Sequence, residues 1–352
     1  VTNLSHMFWA AHNFNQDLST WHTDSATNTA NMFRGAATFN NGDGGNNQAH
    51  PLDAVNGAWN MSQVTNVSGM FMGAALFNQS LDNWNLSSAI IASETFKDAT
   101  HFNQDLSSWY TPVLMSVPYM FHGATAFNNG GQPWTSASGA WRSGAITDAG
   151  FMFADASSFN ADVSSWDTHS LTNAFCMFCA DRAFNNGGQA LLTNGNKWNL
   201  SSLVDARYMF ANNDVFNADI SNWNLASLAY SSSMFSNALV FNQNIGSWNT
   251  PNLILADNMF AGASSFNQDL HTWDVSNVTN FGNMFSTAIS FNGDISNWDV
   301  SSGQSMYAMF MGASAFNQNL NGWDVSSVTN MAFMFHGATV FNQSLANWNT
   351  AS

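Results

Sequence analysis

The chain repeats itself with a period of 25 residues, and this period constrains its fold more than any other feature. A Phe that usually follows Met, a Phe-Asn pair six residues later and then a Trp recur thirteen times. The Trp lies seven residues after the second Phe in every repeat of 25 residues. The first set contains Phe8, Phe14 and Trp21, and the last set ends at Trp348. A fixed period of this length is typical of proteins in which each repeat packs only on its neighbours.

Three repeats are longer than 25 residues, and their surplus enters at one point, between the Phe-Asn-Asn-Gly phrase and the Trp. These insertions form loops at 41–58, 129–140 and 186–197 and add 13, 7 and 7 residues. Because the rest of the repeat keeps its spacing, the surplus is expected to emerge from one place in each repeat. The unbroken period predicts a single repeat domain over 1–352.

Each repeat is predicted to contain one short strand and one short helix. In the repeat that begins at Leu270, the closely spaced apolar residues of 270–275 favour a strand. Phe281, Phe285 and Ala288 then follow at helical spacing, with Ser276 as a candidate N-cap. We therefore predict an α/β solenoid of thirteen 25-residue coils with uncapped ends.

The core of this fold is predicted to consist of three aromatic rows, two of Phe and one of Trp. The Asn that follows the second Phe is present in all thirteen repeats. A polar residue in that position is expected to satisfy backbone groups where the chain turns. The predicted structural row consists of Asn15, Asn40, Asn78, Asn103, Asn128, Asn160, Asn185, Asn217, Asn242, Asn267, Asn292, Asn317 and Asn342.

Composition excludes several classes of partner. Six Lys and Arg stand against 22 Asp and Glu, which gives a net charge of −16. This charge argues against binding to nucleic acid and to an anionic membrane face. The sequence also lacks an apolar run of about 18 residues, so no membrane span is predicted.

The two cysteines, Cys176 and Cys179, have the spacing of some redox and zinc motifs. A zinc site needs about four ligands, and the sequence has no second pair. The pair falls within the predicted helix of its repeat, so two small buried residues or a local disulfide are the favoured interpretations. Neither interpretation is a function.

Acidic residues recur at two places in the repeat, and a row of calcium sites is one interpretation. At the position after the Trp, however, Asp274, Asp299 and Asp324 alternate with residues such as Asn60 and Asn85. A calcium row would not tolerate neutral replacement so freely, whereas Asx-type hydrogen bonds to the backbone suit both residues. We therefore expect no cofactor, with calcium as the less favoured alternative.

No enzyme is expected. The sequence has no nucleophile elbow, phosphate loop or paired-acid cleft. Histidines such as His22, His122, His169, His271 and His336 are not spaced as a metal site or a catalytic triad. Glycans remain open as ligands, although the fixed spacing of most aromatics marks them as core. Trp134, which lies outside the Trp row, is the better candidate for an exposed contact.

Asn-x-Ser/Thr sequons occur in several repeats, and glycosylation is a candidate modification. Asn78 and Asn342 belong to the asparagine row and are expected to be too buried to modify. The remaining candidates are Asn60, Asn85, Asn199, Asn277, Asn66 and Asn3.

The repeat phrase resembles that of the BspA-type leucine-rich-repeat surface proteins, and in particular a repeat first described as a mycoplasma domain of unknown function. Clear instances are Phe266-Asn267-Gln268-Asp269-Leu270 and the segment 273–280 with the Met-Phe pair that follows it. The resemblance covers the whole chain. It implies a leucine-rich-repeat-like coil, an extracellular or cell-surface location and no enzyme activity.

The two ends of the chain are in register with each other, because Val1-Thr2-Asn3 is the phrase that would follow the last repeat. Phe341 and Trp348 of one unit are expected to stack on Phe14 and Trp21 of the next. The units are either separate copies or parts of one long polypeptide.

The leading hypothesis is a non-enzymatic extracellular structural protein, the repeat unit of a surface fibre or filament assembled head to tail. The alternative is a cell-surface adhesin or recognition module that binds a partner through the three insertion loops.

Overall fold

A computed structural model of the chain describes residues 1–44, 51–52, 58–82, 84–135 and 141–351. Much of the first insertion and the end of the second therefore lie outside the described residues. No helix within the described ranges is long and apolar enough to cross a membrane.

The chain forms two compact units. Unit 1 consists of Val1–Leu171 with Asn186–Gly188, and unit 2 consists of Thr172–Asn185 with Gln189–Ser352. Each unit contains several repeats with the same internal hydrogen bonding. The single domain over 1–352 stays a prediction.

The predicted α/β solenoid, with a leucine-rich-repeat pattern of one strand and one helix per coil, is wrong. In the described part of the chain the only helices are two 3₁₀ turns, Asn129–Gly131 and Asn186–Gly188. The β-structure there consists of isolated bridges, all of them between neighbouring repeats except Asn194–Lys197, which lies within the third insertion. The repeats are built almost entirely from turns and extended single residues.

Left-handed residues prevent the predicted helix. In the repeat that contains Phe281 and Phe285, Asn283 has a φ of 55° and Thr287 a φ of 56°. Equivalent positive-φ residues recur at this spacing in the other repeats, for example at Gly69 and Gly73. An α-helix has no room for a left-handed residue every four positions.

The backbone hydrogen bonds of this segment are shared between the repeat and its neighbour. Phe281, Asn283 and Phe285 donate their N–H groups to carbonyls of the next repeat at 2.8–2.9 Å. Met284 and Ser286 instead donate to the carbonyl three residues back, at 3.0–3.1 Å. This alternation satisfies the backbone without a helix, and it ties each repeat to the next.

In unit 1 the repeats pair through one extended residue each, and one junction has a second bridge, between Asn85 and Tyr110. A continuous series of parallel bridges joins Asn3, Asn28, Asn66, Ile91, Ser116 and Asp148. Beneath it, Phe71 stacks on Phe96 with ring centroids 5.5 Å apart, and Phe71 also stacks on Phe77 of its own repeat at 4.1 Å. Phe71, Phe77 and Trp84 are fully buried.

Unit 2 has the same arrangement. Parallel bridges join Asn173, Asp205, Tyr230, Leu255, Asn280, Ser305 and Asn330. Phe235 stacks on Phe260 at 5.6 Å, and Trp248 stacks on Trp273 at 5.8 Å. The prediction that the aromatic rows are buried in internal repeats is confirmed for both units, since Phe216 and Phe235 are also fully buried.

Candidate functional surface

The row asparagines form a chain of hydrogen bonds along each unit. In each case the Oδ1 atom of one row asparagine accepts a hydrogen bond from the backbone N–H of the row asparagine in the next repeat, at 2.8–2.9 Å. In unit 1 the series runs through Asn15, Asn40, Asn78, Asn103, Asn128 and Asn160. In unit 2 it runs through Asn185, Asn217, Asn242, Asn267, Asn292, Asn317 and Asn342.

The asparagine row lies at the surface. Asn78 and Asn342 are exposed, so the expectation that burial excludes them from modification is wrong. The row reaches the surface because its side chains bond to the backbone of a turn and not to the aromatic core. In several repeats a following glutamine, such as Gln268, donates its Nε2 to the same oxygen and adds a second polar link.

The Trp row also connects neighbouring repeats by hydrogen bonds. The indole Nε1 of most row members donates to a backbone carbonyl of the preceding repeat, as Trp109 does to Leu81 at 3.0 Å and Trp273 to Ile245 at 2.9 Å. The acceptor residue is itself an apolar core residue. The row therefore fixes the register of adjacent repeats in addition to burying apolar surface.

Each insertion places one apolar residue in the core. Leu52, Trp134 and Leu191 each lie seven residues before the Trp of their repeat and are fully buried. Their carbonyls accept the indole N–H of the next Trp, as Trp134 O does from Trp166 at 2.8 Å. The expectation that Trp134 makes an exposed contact is wrong, because it takes the core position that Leu or Ile holds in a 25-residue repeat.

A second asparagine anchors each insertion. Asn41, Asn129 and Asn186 are fully buried, and their Oδ1 atoms accept a hydrogen bond from a backbone N–H of the preceding repeat at 2.7–2.8 Å. These residues are the second Asn of the Phe-Asn-Asn-Gly phrase. The phrase was visible in the sequence, but its role as a buried anchor was missed.

In most repeats an Asp or Asn follows the Trp and accepts a hydrogen bond from the backbone N–H two residues further on. Asp299 Oδ1 accepts from the N–H of Ser301 at 3.1 Å and from its Oγ at 2.6 Å, and Asn85 Oδ1 accepts from the N–H of Ser87 at 3.0 Å. The hydroxyl bond from Ser301 and then its backbone bond lower the pKa of Asp299 below its ordinary value of 3.8. Asp324 has a lowered pKa from the same two bonds to Ser326.

Among the described residues, no group of three or more His, Cys, Asp or Glu could hold a metal ion. The predicted N-cap Ser276 bonds to Asp274 in the same way as Ser301 bonds to Asp299. These serines therefore belong to local turns and cap no helix.

The sequon asparagines differ in exposure. Asn85, Asn277 and Asn3 are exposed, whereas Asn60, Asn66 and Asn199 are half-buried. Asn60 donates its Nδ2 to Asp24 at 3.2 Å, and Asn277 donates to the carbonyl of Pro251 at 3.2 Å. Glycosylation of any of them stays a prediction.

Cys176 and Cys179 form a disulfide within unit 2. Both side chains are nearly buried, and Cys176 has a positive φ of 53°. The bridge spans the left-handed turn that other repeats make without a covalent link.

An aromatic–arginine platform, formed by Phe175, Val204, Arg207, Tyr208, Tyr230 and Ile254, lies on the bridge-bearing surface of unit 2. The guanidinium of Arg207 stands over the rings of Phe175 and Tyr230 at 5.1 and 5.5 Å. Its Nε and Nη2 atoms also donate to the Asp205 carboxylate, and these hydrogen bonds raise the pKa of Arg207 above its ordinary value. Val204, Tyr208 and Ile254 remain 37–43% exposed.

The repeat pattern makes this platform unusual. At the position of Val204 and Ile254, the flanking repeats of unit 2 carry Thr172 and Thr279. In unit 1, two repeats also carry an exposed apolar residue at that position, Ile90 and Met115. Apolar residues thus replace polar ones at the surface in a few neighbouring repeats.

The residues predicted for end-to-end contact are less buried than their internal counterparts. Phe14, Trp21, Phe341 and Trp348 are half-buried, whereas the same rows are fully buried or nearly so inside each unit. Trp21 also lines a shallow concavity together with Leu4 and Met7.

The model of one protein family matches the chain along its length. The family is described as "Mycoplasma protein of unknown function, DUF285", and the matches cover residues 1–50, 45–140, 137–191, 182–289 and 257–352. No curated protein matches the chain.

Proposed function

The chain belongs to this family of repeat proteins, and we propose from that premise that it is a non-enzymatic structural protein of the extracellular surface. The observation that carries the proposal is the uniform bonding between repeats. Backbone, asparagine and Trp indole groups all donate or accept across each junction of the regular repeats. Such bonding suits a protein that must hold its form outside the cell.

The Cys176–Cys179 disulfide supports the extracellular part of the proposal. Disulfides persist in oxidising compartments and are rare where cellular thiols keep cysteines reduced. Protein prepared from its native source without reductant should therefore fail to react with a thiol-alkylating reagent until it is reduced. Immediate alkylation of both cysteines, together with protection from protease added to intact cells, would place the protein inside the cell.

The finer proposal is a surface filament in which the last repeat of one copy stacks on the first repeat of another. Half-buried Phe341 and Trp348 would then gain the ring contacts that Phe316 and Trp323 make inside unit 2. A heterologous contact that does not close into a ring produces an open filament. A continuation of the same polypeptide would use the same contacts.

Sedimentation velocity and electron microscopy at micromolar concentrations test this contact. Phe341→Asp should abolish assembly, whereas Val340→Asp, at a neighbouring side chain that is 49% exposed, should leave it intact. Thermal unfolding of both variants checks that the last repeat remains folded. A monomer at all concentrations, or a native polypeptide whose repeats continue beyond 1–352, would overturn assembly from separate copies.

The second candidate is a recognition module, and the aromatic–arginine platform favours it. Tyr, Arg and aliphatic side chains on a rigid support are typical of protein-binding hot spots. Arg207 covers faces of the Phe175 and Tyr230 rings, which favours a protein partner with an apolar surface over a glycan. The second insertion loop supports recognition less, since Trp134 is buried.

Cell adhesion to surfaces coated with the whole chain tests this candidate. A platform variant that combines Val204→Thr, Tyr208→Ser and Ile254→Thr should lose adhesion. The control is Ile289→Thr, which removes an exposed apolar side chain of unit 2 outside the platform. Equal adhesion by the two variants and the unchanged chain would exclude the platform.

A further inference from the structure

Asp167, His169 and Ser170 form a chain of hydrogen bonds on unit 1. Asp167 Oδ1 lies 2.6 Å from His169 Nδ1, and Ser170 Oγ lies 3.1 Å from His169 Nε2. The His169 and Asp167 side chains are 45% and 34% exposed, so small molecules in solution can reach them. The three residues lie within four positions of the sequence, a spacing that offers no familiar motif.

The direction of these hydrogen bonds follows from the groups involved. A carboxylate only accepts, so His169 donates the proton on its Nδ1 to Asp167. The Nε2 atom then carries the lone pair and accepts the hydroxyl proton of Ser170. This is the polarity that a histidine needs in order to act as a general base toward a serine.

Two features of the backbone allow the Asp167 carboxylate to stay beside His169. The N–H of His169 donates to Asp167 Oδ1 at 3.2 Å, which ties the carboxylate to the same turn. Gly144 lies against the carboxylate, and a Cβ atom there would come within 2.7 Å of Asp167 Oδ2. A side chain at position 144 would therefore displace the carboxylate.

The backbone N–H of Ser170 has no hydrogen-bond partner among the described residues. In acyl transfer the backbone N–H of the nucleophilic residue can donate to the oxyanion that develops on the attacked carbonyl. The N–H of Ser170 is available for that role beside the nucleophile and the base.

We propose that Ser170 is a reactive serine that accepts an acyl group from an activated ester. Ser170 Oγ attacks the carbonyl carbon while its proton passes to His169 Nε2, and Asp167 stabilises the resulting imidazolium. The bond to the leaving oxygen then breaks, and His169 returns the proton to the departing alcohol. The product is one acyl ester on Ser170 per chain, which is a modification and does not require turnover.

The repeats supply matched controls. Ser202 and Ser227 occupy the position of Ser170, four residues after the Trp of their repeats, and are likewise half-buried. In those repeats a Ser and an Ala, respectively, stand where His169 stands. They share the local repeat position and lack the base.

The experiment treats the whole folded chain with p-nitrophenyl acetate and, separately, with a fluorophosphonate, and locates each adduct by peptide mass spectrometry. Ser170 should react roughly 10²-fold faster than Ser202 and Ser227, which is the lower range of general-base catalysis. The rate at Ser170 should fall as the medium is acidified, because a protonated imidazole cannot accept the hydroxyl proton. Equal rates at the three serines would overturn the proposal.

Two variants separate the base from a structural effect. His169→Ser and Asp167→Asn each introduce the residue that the repeat of Ser202 carries at the same position, so both variants are expected to fold. His169→Ser should reduce the Ser170 rate to that of Ser202 and remove its pH dependence, and Asp167→Asn should reduce it in part. An unchanged rate in His169→Ser, with circular dichroism like that of the unaltered chain, would also overturn the proposal.

Discussion

The inserted repeat of unit 1 that contains Trp134 and the 25-residue repeats of unit 2 fill the same core position with different residues. In unit 2, Ile245 or Leu270 takes this position, three residues before its Trp. In the inserted repeat Trp134 takes it, seven residues before Trp141. Leu270 and Trp134 both donate their N–H to an Asp carbonyl of the next repeat at 2.9 Å.

The difference lies in the indole groups. In unit 2 the N–H of Trp273 is paired with a carbonyl, whereas the buried Nε1 atoms of Trp134 and Trp141 have no partner among the residues that the structure describes. Trp134 also meets Phe121, Phe127 and Trp166 edge-on, in place of the stacked rings of the regular rows. An insertion is thus accommodated when it returns an apolar side chain, an N–H and a carbonyl to the positions that the neighbouring repeat uses.

The largest expected effect comes from emptying this core position. Trp134→Ala should lower the free energy of unfolding of unit 1 by about 3–5 kcal/mol, because it leaves a cavity among Phe121, Phe127 and Trp166. Urea unfolding monitored by circular dichroism measures the loss. Trp134→Leu should cost clearly less, since Leu52 and Leu191 take the same position in the other two insertions.

If the Ala and Leu variants were equally stable, Trp134 would not fill a core position that suits leucine. The comparison between the inserted and regular repeats would then fail at its main point. Thr135, which the structure places at the half-buried edge of the described loop, provides a control in the variant Thr135→Ala.

The second effect concerns the indole hydrogen bond. Trp273→Phe removes one of the two donors to the Ile245 carbonyl, which keeps the N–H of Trp248 at 3.1 Å. The lost hydrogen bond should cost about 0.5–1.5 kcal/mol in addition to the lost volume. Trp141→Phe removes an N–H that has no partner within the described part of the chain, so only the volume should be lost. The free energy of unfolding should therefore fall more in Trp273→Phe, and the reverse order would show that Trp141 is paired in solution.

The sequence predicted the rows because a fixed period places identical residues on identical neighbours. It did not predict the conformation that joins them. Phe281 and Phe285 are four residues apart both in a helix and in two successive turns reset by left-handed Asn283 and Thr287, so periodicity alone could not distinguish the two. Threonine rarely adopts positive φ, and only the bond from its N–H to the next repeat reveals why it does here.

The candidate site was predictable to a similar degree. The asparagine row was visible as an invariant residue, but its position at the surface was not, because a neighbouring core Phe suggested burial. The sequence pattern places Trp134 in a loop, because nothing in the pattern marks a core residue within the insertion. The structure divides it around a core residue, which became apparent only from the carbonyl that Trp166 uses.

A third, smaller effect tests whether a hydrogen bond of the asparagine row stabilises an inserted repeat as much as a regular one. Asn128 Oδ1 accepts from Asn160 across 32 residues, and Asn242 Oδ1 accepts from Asn267 across 25, at 2.8 and 2.9 Å. Asn128→Ala should therefore cost about 0.5–1.5 kcal/mol of unfolding free energy. Asn242→Ala should cost somewhat more, because Asn242 Oδ1 also accepts from Gln268 Nε2. Asn242→Asp, which keeps the acceptor oxygen, should cost less than Asn242→Ala. A much larger loss at Asn128 would mean that the inserted repeat depends on the row more than a regular one does.

The smallest effect distinguishes the acidic repeats of unit 2 from repeats of unit 1 that carry asparagine at the same position. Asp299 and Asp324 have pKa values below 3.8 in the folded chain, because Ser301 and Ser326 donate to their carboxylates. A group with a lowered folded pKa stabilises the fold fully above its unfolded value, and this contribution is lost as the pH falls through the folded value. Amide exchange at Ser301 and Ser326 should therefore lose protection below about pH 4, in addition to the intrinsic dependence of exchange on pH.

The double variant Asp299→Asn, Asp324→Asn keeps the accepting oxygens, so the amides of Ser301 and Ser326 should keep their protection in acid. The amide of Ser87, which donates to Asn85, should likewise keep its protection in the unaltered chain. If protection declined equally with acid at Ser87 and Ser301, the carboxylates would contribute nothing that an amide does not.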